Sequence, residues 1–373
     1  MCGMQNDLKR LREEVLGTDV CTACGTCVNL CPNIISIEDR IAVLADCQIA
    51  SGNCYRYCPR TIPDPRIAEA LCGDVGYGGP VGNYSNYLIA RSRLSGKHSF
   101  FQYGGTVTAL LVEAMRQGLI DYAVVTKAVG NFPHPAIVKN EEEIISAGGS
   151  KYALSPTNKE VNRACTAGSG KIGVVALPCQ ATGLRKKQLQ PREDGVEKAS
   201  VSLIIGLFCT WALSQAGWRA LLNRHVGSRF VKAMDIPPPP ANIMVIDVGG
   251  ERKTIPLDEV GKHVRPGCKV CLDMTAENAD ISIGMVEGKA GWNTVITRTE
   301  QGASMLESAV GAGIIETGSL DQKAWDHLRE ASLNKKEQAL KEAEARAKRL
   351  PYYERIIKLG KKIRDEDKNG TER

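Results

Sequence analysis

Cys21-Thr-Ala-Cys24-Gly-Thr-Cys27-Val-Asn-Leu-Cys31-Pro32 is the run from which the rest of the chain can be read. Two, two and three residues separate its cysteines and a proline follows the last, which is the bacterial ferredoxin ligand pattern. In that pattern three sulfurs surround one iron–sulfur cube, and the fourth turns to a neighbouring cube. Gly25 lets the backbone wrap tightly, and Pro32 prevents continuation as helix. Zinc knuckles also use paired CxxC thiolates. Three cysteines in one short turn followed by Cys-Pro suit a cube better than a tetrahedral ion.

A second run, Cys47-Gln-Ile-Ala-Ser-Gly-Asn-Cys54-Tyr-Arg-Tyr-Cys58-Pro59, repeats the first imperfectly. Its second cysteine is absent, with Ala50 and Ser51 near that place, and one residue is inserted. Crossed ligation assigns Cys21, Cys24, Cys27 and Cys58 to one cube. Cys31, Cys47 and Cys54 are left for another, one ligand short. A three-iron cluster, a four-iron cluster with a substitute ligand, and no second cluster are all open readings. Cys2 and Cys72 are candidates for the missing thiolate, although an ordinary free cysteine is the simpler reading of each. Around these runs, Leu8–Val15 reads as a short charged surface helix, and Ile34–Ile37 and Ile41–Leu44 as short strands.

The chain has 373 residues, enough for two or three domains with a sizeable core. Fourteen cysteines without a readable secretory signal point to metal sites in a reducing, cytoplasmic compartment. A net charge of +6 suits anionic cofactors and carrier proteins, but no basic tract argues for nucleic acid. Ala199 to Trp218 is free of charge and long enough to span a bilayer. Its serines, glycines, Thr210 and Gln215 make it a buried strand, Leu203–Phe208, followed by a helix. No transmembrane segment is expected, although peripheral attachment is compatible with the sequence.

Residues 60–83, with Pro63, Pro65, Pro80 and the Gly76-Tyr-Gly-Gly79 run, read as a linker. Phe101-Gln-Tyr-Gly104-Gly105-Thr106-Val107-Thr108 then opens a periodic helix, Ala109 to Gln117, ended by Gly118, with a strand at Tyr122–Val125. Bare N–H groups at such a start suit an anion such as a flavin diphosphate, although plain capping gives the same sequence. Gly148-Gly149-Ser150-Lys151-Tyr152 is a second glycine turn. Gly168-Ser-Gly170-Lys-Ile-Gly173 matches GxGxxG but precedes a strand, so it is not a dinucleotide fingerprint. Two strands apolar throughout, Ile172–Leu177 and Leu203–Phe208, run into Cys179 and Cys209. Such strands belong in a sheet covered on both faces, with ligands beyond their carboxyl ends. Arg265-Pro-Gly267-Cys268-Lys-Val-Cys271-Leu-Asp273 adds a CxxC pair. Spacing alone leaves structural zinc, a cluster and unrelated thiols open for these four. Pro237 to Pro240 reads as a rigid surface connector. Ala279–Gly284 and Gly291–Thr299 read as strands, the second followed by a turn at Gly302. Lys335 to Lys348 reads as a solvated helix and Tyr352–Lys362 as a surface helix able to dock on a partner.

Taken together, these pieces resemble the beta subunit of coenzyme F420-dependent hydrogenases and dehydrogenases. The matching stretches are Gly104–Thr108, Gly149–Tyr152, Leu177-Pro178-Cys179-Gln180, Ile205–Cys209, Gly267–Asp273, Ala279–Gly284 and Gly291 through Thr299, covering roughly residues 80 to 318 in family order. The resemblance implies a flavoprotein holding FAD near Gly104, Gly105, Thr106 and Thr108 and near Ser150, Lys151 and Tyr152. It also implies a 4Fe–4S cluster beside the flavin on Cys179, Cys209, Cys268 and Cys271. F420H2 dehydrogenase input subunits and F420-dependent sulfite reductases look similar in joining this body to a ferredoxin-like module.

The fold expected is therefore α+β: a ferredoxin-like cluster domain at 1–75, an α/β flavoprotein body with a mixed sheet at 76–330, and a charged helical tail at 331–373. The function expected is an electron-transfer subunit that exchanges hydride with coenzyme F420 through FAD. Two to three 4Fe–4S clusters would relay single electrons to hydrogenase, dehydrogenase or reductase partner subunits. Lys151, Arg185 and Lys186 are candidate contacts for the anionic deazaflavin tail. Alternatives are a bacterial relative using NAD(P)H, ferredoxin or a small organic substrate, and a non-catalytic relay. His98, His134, His225, His263 and His327 are scattered, and no side chain is assigned a catalytic role.

Overall fold

The computed structural model describes residues 6–47, 49–71, 78–94, 102–192, 196–238, 240–346 and 350–368. Cys2, Cys72 and His98 lie outside the described residues.

At the amino end, the helix Asp7–Leu11 is capped by Asn6, whose side chain accepts from Lys9 N, and continues into a π-helical turn, Arg12–Leu16. Leu8, Leu11 and Val15 share one face and are buried on Cys27, Val28, Ile34 and Tyr55. The segment is thus amphipathic, with only its charged face at the surface. β1 (Ile34–Ile37) and β2 (Arg40–Val43) pair as an antiparallel hairpin. The short helix Asn53–Arg56 carries Cys54. Residues 60–83, read as linker, include the helix Pro65–Ala70, capped by Asp64 with proline at its first position.

The body is built on β3 (Asn86–Ser92), β4 (Tyr122–Val129), β5 (Phe132–Val138), β6 (Gly170–Ala176) and β7 (Ala199–Leu207). A side sheet of β8 (Ala233–Asp235), β9 (Ile243–Val248) and β10 (Glu251–Pro256) follows, then β11 (Ile281–Met285), β12 (Asn293–Thr297) and β13 (Ile315–Gly318). The main sheet has the order β13-β3-β12-β11-β7-β6-β4-β5. β11, β7, β6 and β4 are mutually parallel at its centre, and the flanking pairs are antiparallel. The sheet is mixed, as expected.

Alternating residues bury both faces, which is why the central strands carry so few polar residues. Ala123, Val125, Leu203 and Ile205 face the helices Thr106–Arg116 and Glu300–Gly311. Val124, Ile172, Val174 and Ile204 face Asn158–Ala167 and Pro178–Leu189. The charge-free stretch Ala199–Trp218 is β7 and the start of the helix Gln215–His225, which packs on the side sheet. No helix among the described residues is long and apolar enough to cross a membrane.

Two sequence readings are corrected at the carboxyl end. Gly302 is in the first turn of the helix Glu300–Gly311 rather than in a turn after the strand; a Cβ there would lie 2.0 Å from Asp280 O. The stretch from Lys335 belongs to a longer helix, Gln322–Ala345, and is solvated on one face only: Ser332, Lys335, Lys336, Ala339, Leu340 and Ala343 are buried at helical spacing. The following helix, Pro351–Lys368, docks on this same chain. Tyr352, Tyr353 and Ile356 pack on Val20, Val270, Leu340 and Ala343.

Candidate functional site

Parallel strands place their carboxyl ends together, and the sequence puts a cysteine just beyond two of them. After β6, Pro178 occupies the first position of the helix Pro178–Leu189, with Cys179 in its first turn. Gln180 fixes this entry: its Oε1 accepts from Leu177 N at 2.8 Å and its Nε2 donates to Ser155 O at 2.8 Å. After β7, Cys209 N donates to Met274 O at 2.8 Å. Cys268 and Cys271 flank the end of the turn Pro266–Lys269.

The four thiols are near enough to act on one another. Burial pushes Cys179 well above the usual thiol value, and repulsion from Cys24, Cys271 and Cys268 adds to it while Arg60 opposes. Burial pushes Cys209 up to about 12, with Cys268 and Cys271 adding to it against Lys335. Cys271 is lowered: burial raises it, but Lys335 and Arg60 outweigh that.

The amino-terminal thiols act on one another as well. Cys27 is raised by burial, then by Cys58, Cys24 and Cys21. Cys58 is pushed up to about 12 by burial, with Cys24 the next contributor. Cys54 is pushed up to about 11 by burial, then by Cys31, with Asp7 and Cys47 also acting. Asp7 is buried beside this group, its Oδ2 accepting from Gly52 N at 2.9 Å. Cys24 also acts on Cys179, and Cys54 on Cys27, so the thiols of the two runs and the body influence one another. Among the described residues, no three His, Cys, Asp or Glu side chains close around one point as ligands of a single metal ion do. A four-iron cube takes one cysteine per iron and asks for no such closure.

The first cysteine run is fastened to the body. Gly25 adopts φ +87°, and a Cβ there would lie 2.6 Å from Pro156 O. Asn162 Nδ2 donates to Thr26 O at 2.9 Å and Val28 O at 2.7 Å, and Asn158 N donates to Cys24 O at 3.2 Å. A Cβ on Gly267 would lie 2.6 Å from Cys21 O, so the body CxxC turn rests on the backbone of that run. Lys186 Nζ donates to Cys58 O at 2.6 Å and Thr61 O at 3.1 Å.

Beyond the strand ends lies a cavity of about 860 Å³. Gly105, Thr106, Thr108, Ser150, Lys151 and Tyr152 line it, and Cys209 is in its wall. Gly105 caps the helix Thr106–Arg116 at φ +68°, and no side chain bonds to the helix from the cap. Thr106 N donates to Asn293 Oδ1 at 3.3 Å, and the Thr106 hydroxyl donates to Ala90 O at 3.1 Å.

Some expectations are corrected here. Gly104 is outside the lining; its place is set by close packing, since a Cβ would lie 2.7 Å from Asn293 Oδ1. Lys151 Nζ donates to Ala147 O, Gly148 O and Gly149 O at 2.6, 3.0 and 2.9 Å, closing the carboxyl end of the helix Glu141–Ser146. Burial lowers Lys151 to about 8. Arg185 binds Asp280 Oδ1 at 2.7 Å, and Lys186 is buried on the Cys58 loop. The three proposed tail contacts are thus engaged within the chain. The proline run is not merely a connector: Pro237 and Pro240 line the cavity, and Pro239 lies outside the described residues.

The sequence reading missed Gln102, Tyr103, Trp211 and Asn293 in the lining. Tyr103 hydroxyl donates to Asp235 Oδ1 at 2.5 Å, and Gln102 Oε1 accepts from Ser150 N at 2.8 Å. Gln102 and Tyr103 lie inside the Phe101–Thr108 stretch and Asn293 inside Gly291–Thr299, so membership of those stretches was the available signal.

Comparison with known proteins gives two matching family models. Coenzyme F420 hydrogenase/dehydrogenase, beta subunit N-term, matches residues 88–162, and the corresponding C terminus matches 169–323. The beta subunit of coenzyme F420 hydrogenase from Methanothermobacter thermautotrophicus is 34% identical over 273 residues, 71% of this chain and 96% of that protein. The coenzyme F420-dependent sulfite reductase of Methanocaldococcus jannaschii is 32% identical over 329 residues, 83% of this chain; the chain spans only 49% of that protein's length. Among solved structures, a chain of the F420-reducing [NiFe] hydrogenase complex from Methanosarcina barkeri superposes with a TM-score of 0.67 at 31% identity. That match covers 73% of this chain and 98% of the other.

Proposed function

The chain belongs to the coenzyme F420 hydrogenase/dehydrogenase beta-subunit family, and from that premise we propose that it is the F420-facing iron–sulfur flavoprotein subunit of a larger oxidoreductase. It would oxidise or reduce coenzyme F420 through FAD and relay single electrons through 4Fe–4S clusters to a hydrogenase, dehydrogenase or reductase partner. One observation carries this reading: the glycine–threonine helix start and Cys209 line one cavity.

The cavity volume lies near the top of the roughly 300–1,000 Å³ range of small-molecule sites. The first-turn N–H groups of Val107 and Thr108 have no earlier helical carbonyl to bond and suit a diphosphate. Gly105, Thr106, Thr108, Ser150 and Tyr152 would hold FAD there, with Cys179, Cys209, Cys268 and Cys271 holding the adjacent cluster. A bound flavin supplies conversion between two-electron hydride chemistry and single electrons. Cys21, Cys24, Cys27 and Cys58 would hold the next cube. The Cys31, Cys47 and Cys54 group, with the Asp7 carboxylate beside Cys54, suits a three-iron cluster or a four-iron cluster with an oxygen ligand.

Two measurements test the reading. Iron and acid-labile sulfide after anaerobic reconstitution are expected to exceed one cube per chain, because eleven cysteines stand in the three groups. Zinc without sulfide would overturn the cluster assignment. Reduced coenzyme F420 is expected to bleach the bound flavin much faster than NADH or NADPH in an anaerobic titration, since near-attack geometry makes ring shape discriminating. Fast bleaching by NADH and none by the deazaflavin would assign a nicotinamide donor instead.

A further inference from the structure

Arg60 sits between two of the thiol groups and is not accounted for by either ligand pattern. It follows Cys58 by two residues, and its own N–H donates to Cys58 Sγ at 3.4 Å. Its guanidinium crosses to the body turn, where Nη2 donates to Gly267 O at 2.9 Å and Nη1 to Val270 O at 3.4 Å. These are the carbonyls flanking Cys268 and preceding Cys271. The Tyr352 ring lies 4.7 Å from the guanidinium carbon. The residue is 4% exposed, makes no ion pair among the described residues, and its Nε–H has no partner.

A guanidinium removed from water needs negative charge or acceptors to offset its lost hydration. Beyond two carbonyls and one aromatic face, the Arg60 side chain has the Cys271 sulfur as an acceptor, and no further partner meets Nε–H. The carbonyl partners of Arg60 immediately precede Cys268 and Cys271 on the body turn, and its backbone N–H donates to Cys58 Sγ, so candidate thiolates stand on both sides of it. Other charged groups here are Lys335, whose Nζ donates to Cys209 O at 2.5 Å and Asp273 O at 2.7 Å; Arg265 beside Cys21; Lys186 beside Cys58; the Asp273 carboxylate, which opposes them at Cys209 and Cys271; and Arg355, which Arg60 repels. Arg60 and Lys335 thus bring cations to the body thiols from two separate segments of the chain.

We propose that Arg60 is a positioning residue whose buried guanidinium, hydrogen-bonded to the turn that carries Cys268 and Cys271, favours the reduced state of the group held by Cys179, Cys209, Cys268 and Cys271. The inference rests on the iron–sulfur reading above. Adding an electron adds negative charge, and a fixed cation with a free N–H stabilises the more negative state; hydrogen bonds and net charge are established determinants of cluster potential. Arginine is required because it bonds the two carbonyls and still presents a third donor, which the compact ammonium of lysine cannot do in one plane.

The test is an anaerobic redox titration followed by electron paramagnetic resonance on reconstituted wild type, Arg60→Gln and Arg60→Lys. The signal followed is the one that Cys268→Ser removes. Arg60→Gln is expected to shift the oxidised-to-reduced equilibrium at least about tenfold toward oxidised, a midpoint lowered by about 59 mV for one electron. Arg60→Lys, keeping the charge but losing the planar donor, is expected to shift it about threefold. A loss of packing alone would lower iron content or thermal stability without this graded shift. Arg60→Gln with full iron and an unshifted midpoint overturns the proposal. Should Arg60→Gln fail to retain iron, an unshifted Arg60→Lys does so instead. Wild type lacking iron and sulfide would refute the function proposed above, a separate failure.

Discussion

Anaerobically reconstituted Cys268→Ser protein is expected to carry about four fewer irons per chain and to pass electrons from donor to a one-electron dye at least about 100-fold more slowly. The bound follows because removing a ligand should exceed the roughly 10–100-fold loss in metal affinity or activity typical of outer-shell changes. Cys24→Ser is expected to behave differently: donor-dependent bleaching of the flavin persists, and only onward transfer is lost. The reason is the order of the groups. Cys209 lines the cavity and acts with Cys268 and Cys271, whereas Cys24 is outside the lining and acts on Cys27 and Cys58. Stopped-flow bleaching followed by dye reduction reads the two steps separately. If Cys24→Ser blocked bleaching while flavin stayed bound, the proposed order would be wrong.

The cysteine spacing was legible because ligand patterns are local: two, two and three residues with a closing proline constrain one turn of backbone. Crossed grouping of Cys58 with the first run is what the same rule expects, and Cys58, Cys24, Cys21 and Cys54 all act on Cys27. The strand ends were legible as well. Two apolar runs that each finish on a cysteine must lie in a covered sheet, and β6 and β7 are neighbours there. Positions set by distant contacts were not legible. Lys151 reads as a free cation in a glycine turn, and only the fold shows three carbonyls taking its ammonium. Gly104 reads as part of an anion-binding start, yet its missing side chain admits Asn293, 189 positions later. Arg60 after Cys-Pro looks like any surface arginine. The helix from Lys335 is the clearest case: its composition is that of a solvated face, and burial comes from a loop more than sixty positions earlier.

That helix supplies the second large effect. Lys336→Met is expected to destabilise the protein by about 3–5 kcal/mol in equilibrium denaturation, the range for removing one partner of a buried ion pair. Lys336 Nζ lies 2.5 Å from Glu277 Oε1, with both side chains 5% exposed, and also donates to Leu272 O at 3.3 Å. Without the ammonium, the carboxylate is left in a site closed by Gly82, where even an added Cβ would lie 2.6 Å from Glu277 Cγ. Water therefore has little room to restore its hydration. Glu277 N also donates to Asp273 Oδ2 at 3.0 Å, so the pair anchors the loop that follows Cys271. Adjacent Lys335 ties the same loop to the Cys209 carbonyl. The variant should accordingly lose iron from the body group at a lower denaturant concentration than from the amino-terminal group. The double variant Lys336→Met with Glu277→Leu is expected to recover most of the loss, because a buried pair replaced by apolar residues of similar volume is often neutral. A single-variant effect below about 1 kcal/mol would place this pair in the range of surface ion pairs and remove the anchoring role assigned to the helix.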